Sequence, residues 1–74
     1  MNVNINLFIL KFWRRYDWFV RDCDQRMGQA RMNALGELAP DLYEIISGSD
    51  ADCFYLDGRI DAFDLEVFGK IYAR

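Results

Sequence analysis

The sequence predicts a mainly α-helical fold, one small domain over residues 1–74 with a long N-terminal helix, a short middle helix and a C-terminal helix. Three observations predict it. Apolar residues recur at steps of three and four from Ile5 to Leu38. A proline-led segment bounded by Gly48 follows, and a further helical pattern runs on from Asp61. With 53% hydrophobic residues the chain is too apolar for a disordered tail. Its aromatic residues bring bulk to a core that, at this length, covers only about 60% of the unfolded surface.

The long pattern comprises Ile5, Phe8, Ile9, Phe12, Tyr16, Phe19, Val20, Cys23, Met27, Ala30, Ala34 and Leu38. At about 100° per residue these positions fall within about 120° of arc, the stripe of an amphipathic helix. A helix over 7–35 is expected, capped by Asn6, stapled by Ile5 and Leu10, and stopped at Gly36. The alternation in "NVNINL" favours extended backbone over 2–6 instead. Asp17 with Arg21, and Asp22 with Arg26, stand at i,i+4 on the wet side. A continuous helix of this length spans about 43 Å, whereas a compact chain of this size is about 30 Å across. Either the helix breaks near Gly28 or its end projects. Ala30 and Ala34 stay in phase beyond Gly28, which favours continuity and admits a homodimer through the long helix at those small residues.

Pro40 suits the first turn of the short helix "PDLYEIIS", and Gly48 suits its stop. The stretch "CFYL-DG-RIDA" puts Asp57-Gly58 between two apolar runs, a signal for a short β-hairpin near 53–60. Asp61 can cap the last helix, with Asp64 completing a capping box. Phe63, Leu65, Val67, Phe68, Ile71 and Tyr72 cover more than half of that helix, which predicts burial on two sides, and Glu66 pairs with Lys70 on the remainder.

Composition excludes several activities. There is no histidine, so Ser-His and Cys-His nucleophile pairs and His-containing zinc sites are out. No Gly-rich phosphate loop is present. A non-catalytic protein without a cofactor is expected. Cys23 and Cys53 stand apart rather than in a metal-type pair. "MNVNINLFIL" lacks the basic start of a secretory signal, and there is no apolar run of about 20 residues. Cytoplasmic location with both thiols reduced is the expectation.

Charge is unevenly placed. Residues 1–40 hold six Lys/Arg against four Asp/Glu, and residues 41–74 hold three against eight, so the halves carry +2 and −5. "SDADCFYLDGRIDAFDLE" gathers six carboxylates with Arg59 as its one cation. Asp57 fits a turn, and Asp61 and Asp64 fit the first turn of a helix, where carboxylates meet the positive end of the dipole. Asp50, Asp52 and Glu66 are left without a local duty. An ordinary solvated face is one reading; docking on a basic surface is the other.

Residues 57–72, "DGRIDAFDLEVFGKIY", resemble the second half of an EF-hand, and more closely the loop-plus-helix unit of dockerin modules. That resemblance implies a small calcium-binding module with Asp50, Asp52, Asp57, Asp61 and Asp64 as the candidate ligands. Against it, Cys53 and Tyr55 occupy the first and third loop positions, where the ion requires oxygen ligands. In size, in lacking catalytic residues and in acidic clustering, the chain also resembles the small inhibitors that phages encode, anti-CRISPR proteins among them. Several of those occupy nucleic-acid grooves by presenting carboxylates where phosphates would lie. No motif is shared, so this resemblance assigns no residue.

Opposite the core stripe lie Leu7, Arg14, Trp18, Arg21, Gln25 and Met32. Arg14 and Arg21 are spaced to stack on Trp18, and tryptophan and arginine dominate interface hot spots. Cover by another helix is the plainer role for Trp18. "LFILKFWRR" mixes aromatics with cations, yet its cations do not make the long basic face of a membrane-surface helix. The expected function is a protein-binding inhibitor or regulator. Its partner surface comprises Asp50, Asp52, Asp57, Glu66, Arg14, Trp18 and Arg21. Its partner is a protein with a basic surface, and neither nucleic acid nor membrane is bound directly.

Overall fold

The computed structural model describes the backbone of residues 3–72 and the side chains within 7–69. Helix α1 runs Val3–Asp22, α2 Met27–Leu38, α3 Pro40–Ile46 and α4 Ile60–Tyr72, with a 3₁₀ turn at Asp57–Arg59 leading into α4. Among the described residues there is no strand.

The long helix is not continuous. It ends at Asp22, and Asp24 takes a left-handed φ of 57° while the Gln25 N–H reaches back to the Phe19 carbonyl at 3.1 Å. Aspartate tolerates that conformation better than most side chains. The stop therefore falls at Asp24 rather than at Gly36. Twenty residues at 1.5 Å make α1 about 30 Å long, which fits a molecule measuring 35 × 27 × 18 Å. The chain then turns and α2 runs back along α1, so that Arg15 meets Glu37.

Several expectations change with that turn. Residues 3–6 are helical rather than extended, and Asn6 lies inside α1 instead of capping it. Arg26 falls beyond the break and pairs with Asp57 rather than Asp22, whereas the Asp17–Arg21 pair forms at 3.1 Å. Gly36 is inside α2, which runs on to Leu38. Pro40 sets that limit, because the residue before a proline is forced away from helical backbone; Ala39 sits at φ −146°, ψ 72°. Ala30 and Ala34 are fully buried in the core, so they form no projecting end at which a second chain could dock.

Phe12 is the centre of the core. Its ring lies 4.9 Å from Trp13, 5.3 Å from Phe68 and 6.2 Å from Phe63, tying α1 to α4. Each such pair adds about 0.5–1.5 kcal/mol beyond the area buried. Phe19, Ala30, Met32, Ala34, Leu35, Ile46, Cys53 and Val67 complete the buried set with Ala51 and Phe63. Met32, assigned to the outer face by a continuous helix, is inside because α2 is a separate helix with its own rotation. Cys23 and Met27 are exposed for the same reason. Helix α4 is buried at Phe63 and Val67 but leaves Leu65 at 75% exposure, so it is not covered on two sides there.

Pro40 opens α3 and Gly48, at φ 80°, follows its end, both as the sequence indicates. The expected hairpin near 53–60 does not form. Its two-residue turn needs positive φ at both Asp57 and Gly58, and neither has it. The Arg59 N–H instead bonds the Leu56 carbonyl at 3.0 Å, closing the 3₁₀ turn. Helix α4 starts at Ile60, so Asp61 is inside its first turn rather than at its cap. The Lys70 side chain, expected to pair with Glu66, lies outside the described residues.

Candidate protein-docking site

The six carboxylates of the acidic stretch divide by what they touch. Asp52 is a loop organiser: Oδ2 accepts from the Gly48 N–H at 2.8 Å and Oδ1 from the Phe54 N–H at 3.0 Å. Asp57 caps α2 from a distance, accepting the Gly28 N–H at 3.0 Å and an Arg26 N–H at 3.1 Å. This satisfies a donor that the start of α2 leaves open. Arg26 also donates to the Phe54 carbonyl.

Asp64 holds Arg31 through two bonds, of 3.0 and 3.4 Å, and the guanidinium lies 5.3 Å from Trp13 and 5.0 Å from Tyr16. Arg31 is only 11% exposed. Burial disfavours its charge, but the hydrogen bond and the charge of Asp64 outweigh that, and its pKa is raised.

Asp50, Asp61 and Glu66 are the exposed members of the remaining set. Asp50 and Glu66 edge a groove of ≈ 470 Å³ between α3 and α4. Ile46, Ala51 and Ala62 contribute its apolar lining, with Ile45 and Leu65 at 61% and 75% exposure. Asp41 and Glu44 on α3 are exposed as well. Residues 40–74 hold three cations, Arg59, Lys70 and Arg74, against eight carboxylates. Arg59 itself is drawn inward, donating to the Ser49 carbonyl at 3.3 Å. Apolar side chains exposed beside carboxylates suit contact with a partly apolar, basic surface.

The candidate calcium ligands do not converge. Asp52, Asp57 and Asp64 each serve a different protein donor, and the described residues contain no group of three or more Asp, Glu, Cys or His able to hold a metal ion. Cys53 is buried, its Sγ donating to the Gly28 carbonyl at 3.3 Å, while Cys23 is exposed; both thiols are free. Burial raises the Cys53 pKa to about 11.

On the outer face of α1 the arginine over Trp18 is Arg15, 4.1 Å from the ring centroid, rather than Arg14 or Arg21. Arg15 is also fixed by two bonds to Glu37, and that hydrogen bonding raises its pKa. Arg21 is engaged with Asp17, and Arg14 is exposed. Trp18 remains 40% exposed, so no helix of this fold covers it fully.

Sequence reasoning missed Ile45 and Leu65. One signal was present for Leu65. Apolar positions cover more of α4 than a chain of this size can bury, and Leu65 is the one set between two carboxylates, Asp64 and Glu66. No described helix is long and apolar enough to cross a membrane. No protein-family model, curated protein or solved structure matches the chain.

Proposed function

We propose that this chain is a non-catalytic protein-binding inhibitor or regulator, docking through the α3–α4 groove on a basic, partly apolar surface of its target. One observation carries the reading: exposed Ile45 and Leu65 stand beside Asp50 and Glu66 on a groove with an apolar lining. Apolar contacts there supply affinity on desolvation, while the carboxylates steer the encounter and select against acidic partners. Where the target's basic surface normally holds nucleic acid, occupancy by this acidic face occludes it. Asp52, Asp57 and Asp64 take no part, because their oxygens serve the fold.

The test is capture from the native host on the immobilised chain, beside an Asp50→Asn/Glu66→Gln variant and a Leu65→Ser variant. A retained protein that both variants lose, and that salt or added nucleic acid releases, supports the reading. A protein retained equally by all three refutes the groove as the site.

A further inference from the structure

The second exposed apolar surface carries the opposite charge. Leu7, Leu10, Lys11, Arg14 and Trp18 share one face of α1, at steps of three and four. Leu7 is 45% and Leu10 50% exposed, and Lys11 and Arg14 are exposed beside them. Lys11, Arg14 and Trp18 line a groove of ≈ 340 Å³ with Leu38, and Leu7 and Lys11 line another of ≈ 270 Å³ with the same leucine. Among the described residues neither Lys11 nor Arg14 forms an ion pair, whereas Arg15 and Arg21 have Glu37 and Asp17. This face asks for an apolar partner carrying carboxylates. The molecule has one, the α3–α4 groove, and the two surfaces share no residue.

We propose that the chain associates head to tail with itself, the cationic face of α1 in one copy seating on the acidic α3–α4 groove of the next. The inference rests on reading that groove as a docking site and adds how the site is regulated: self-association covers the surface that would meet a target. Such a contact is heterologous. It leaves one free groove and one free α1 face at the ends, so assemblies grow until a ring closes.

The test uses sedimentation of the full chain with two charge-neutralised variants, each checked for helical content. Lys11→Gln/Arg14→Gln removes the basic face and keeps the groove; Asp50→Asn/Glu66→Gln does the reverse. The wild type is expected to rise above its 8.8 kDa monomer mass with concentration. It should dissociate towards 1 M salt, where the Debye length falls to about 3 Å. Each variant alone should be weakened about tenfold or more. Mixed, they should form a heterodimer and nothing larger, since only one productive contact remains. Adding Leu65→Ser to the first variant leaves its charges in place and should abolish the mixed dimer, which ties the contact to the apolar side chains of the groove.

A wild type that stays monomeric, a mixture that does not associate, or a variant that dimerises alone would overturn the proposal. The target reading is judged separately. Self-association with no retained target keeps this inference and loses that one, and a monomer that captures a basic target does the opposite.

Discussion

Replacing Gly28 with alanine probes the joint between α2 and the acidic loop. By helix propensity alone the change would stabilise α2 by up to about 1 kcal/mol. The surroundings reverse the sign. A Cβ at Gly28 would stand 2.2 Å from the Cys53 carbonyl oxygen, 2.6 Å from Asp57 Oδ1 and 3.2 Å from the Cys53 carbonyl carbon. Two of these are backbone atoms that cannot rotate away, so the loop must retreat by roughly 1 Å to restore ordinary contact. That retreat breaks the Gly28–Asp57 bond at the start of α2 and the Cys53 Sγ bond to the Gly28 carbonyl. A charge-assisted hydrogen bond contributes about 1.5–3 kcal/mol and overpacking costs about 1–3 kcal/mol. After the propensity gain, the expected net loss is about 3 kcal/mol.

Urea unfolding followed by tryptophan fluorescence and far-ultraviolet circular dichroism measures it as a lower midpoint with unchanged slope. Gly36→Ala is the internal comparison, in the same helix. Its Cβ would meet only the Tyr43 ring, at 3.2 Å, and a side chain can move. That variant is expected within about 1 kcal/mol of wild type. A Gly28→Ala protein as stable as wild type, or a Gly36→Ala protein that loses more, would refute this account of how the loop is held.

Asp64→Ala should destabilise by about 3 kcal/mol, because it strands the largely buried Arg31 without its counter-charge; chemical denaturation measures this, and a loss below about 1 kcal/mol would place the pair with ordinary surface ion pairs. Asp52→Ala should cost about 1–2 kcal/mol through two orphaned N–H groups, whereas Asp50→Asn should stay within about 0.5 kcal/mol. Equal thermal midpoints for those two variants would contradict the division of the carboxylates. For the thiols, a disulfide reagent near neutral pH should label Cys23 rapidly and Cys53 only on unfolding. The fold keeps Cys53 protonated up to about 11 while the unfolded thiol ionises near 9.0, so its contribution to stability falls as pH rises through that window. A Cys53→Ala variant should lack this part of the alkaline slope.

Helices, their apolar sides and two of their limits were legible in the residues because each rests on neighbours within about one turn. The spacing from Phe8 to Phe19 makes one side of α1 apolar wherever that helix packs. Pro40 starts α3 by fixing its own φ and the backbone before it, and Gly48 follows α3 by accepting a left-handed φ. Leu7, Arg14 and Trp18 fall on one outer face of α1 by the same rule.

What tertiary structure alone decided depends on segments far apart in sequence. Asp24 is an unremarkable acid until the molecule requires α1 to end there, so that α2 can return and bury Ala30, Ala34 and Leu35. Asp57 and Asp64 carry local capping signals, yet their oxygens go to Gly28 and Arg31, 29 and 33 residues away. The groove needs Ile45 and Leu65 from two separate helices. A carboxylate bonds whichever donor arrives within about 3 Å, and a leucine is exposed or covered according to which helix lies beside it. Periodicity reports the character of a face; only the packed chain supplies its neighbour.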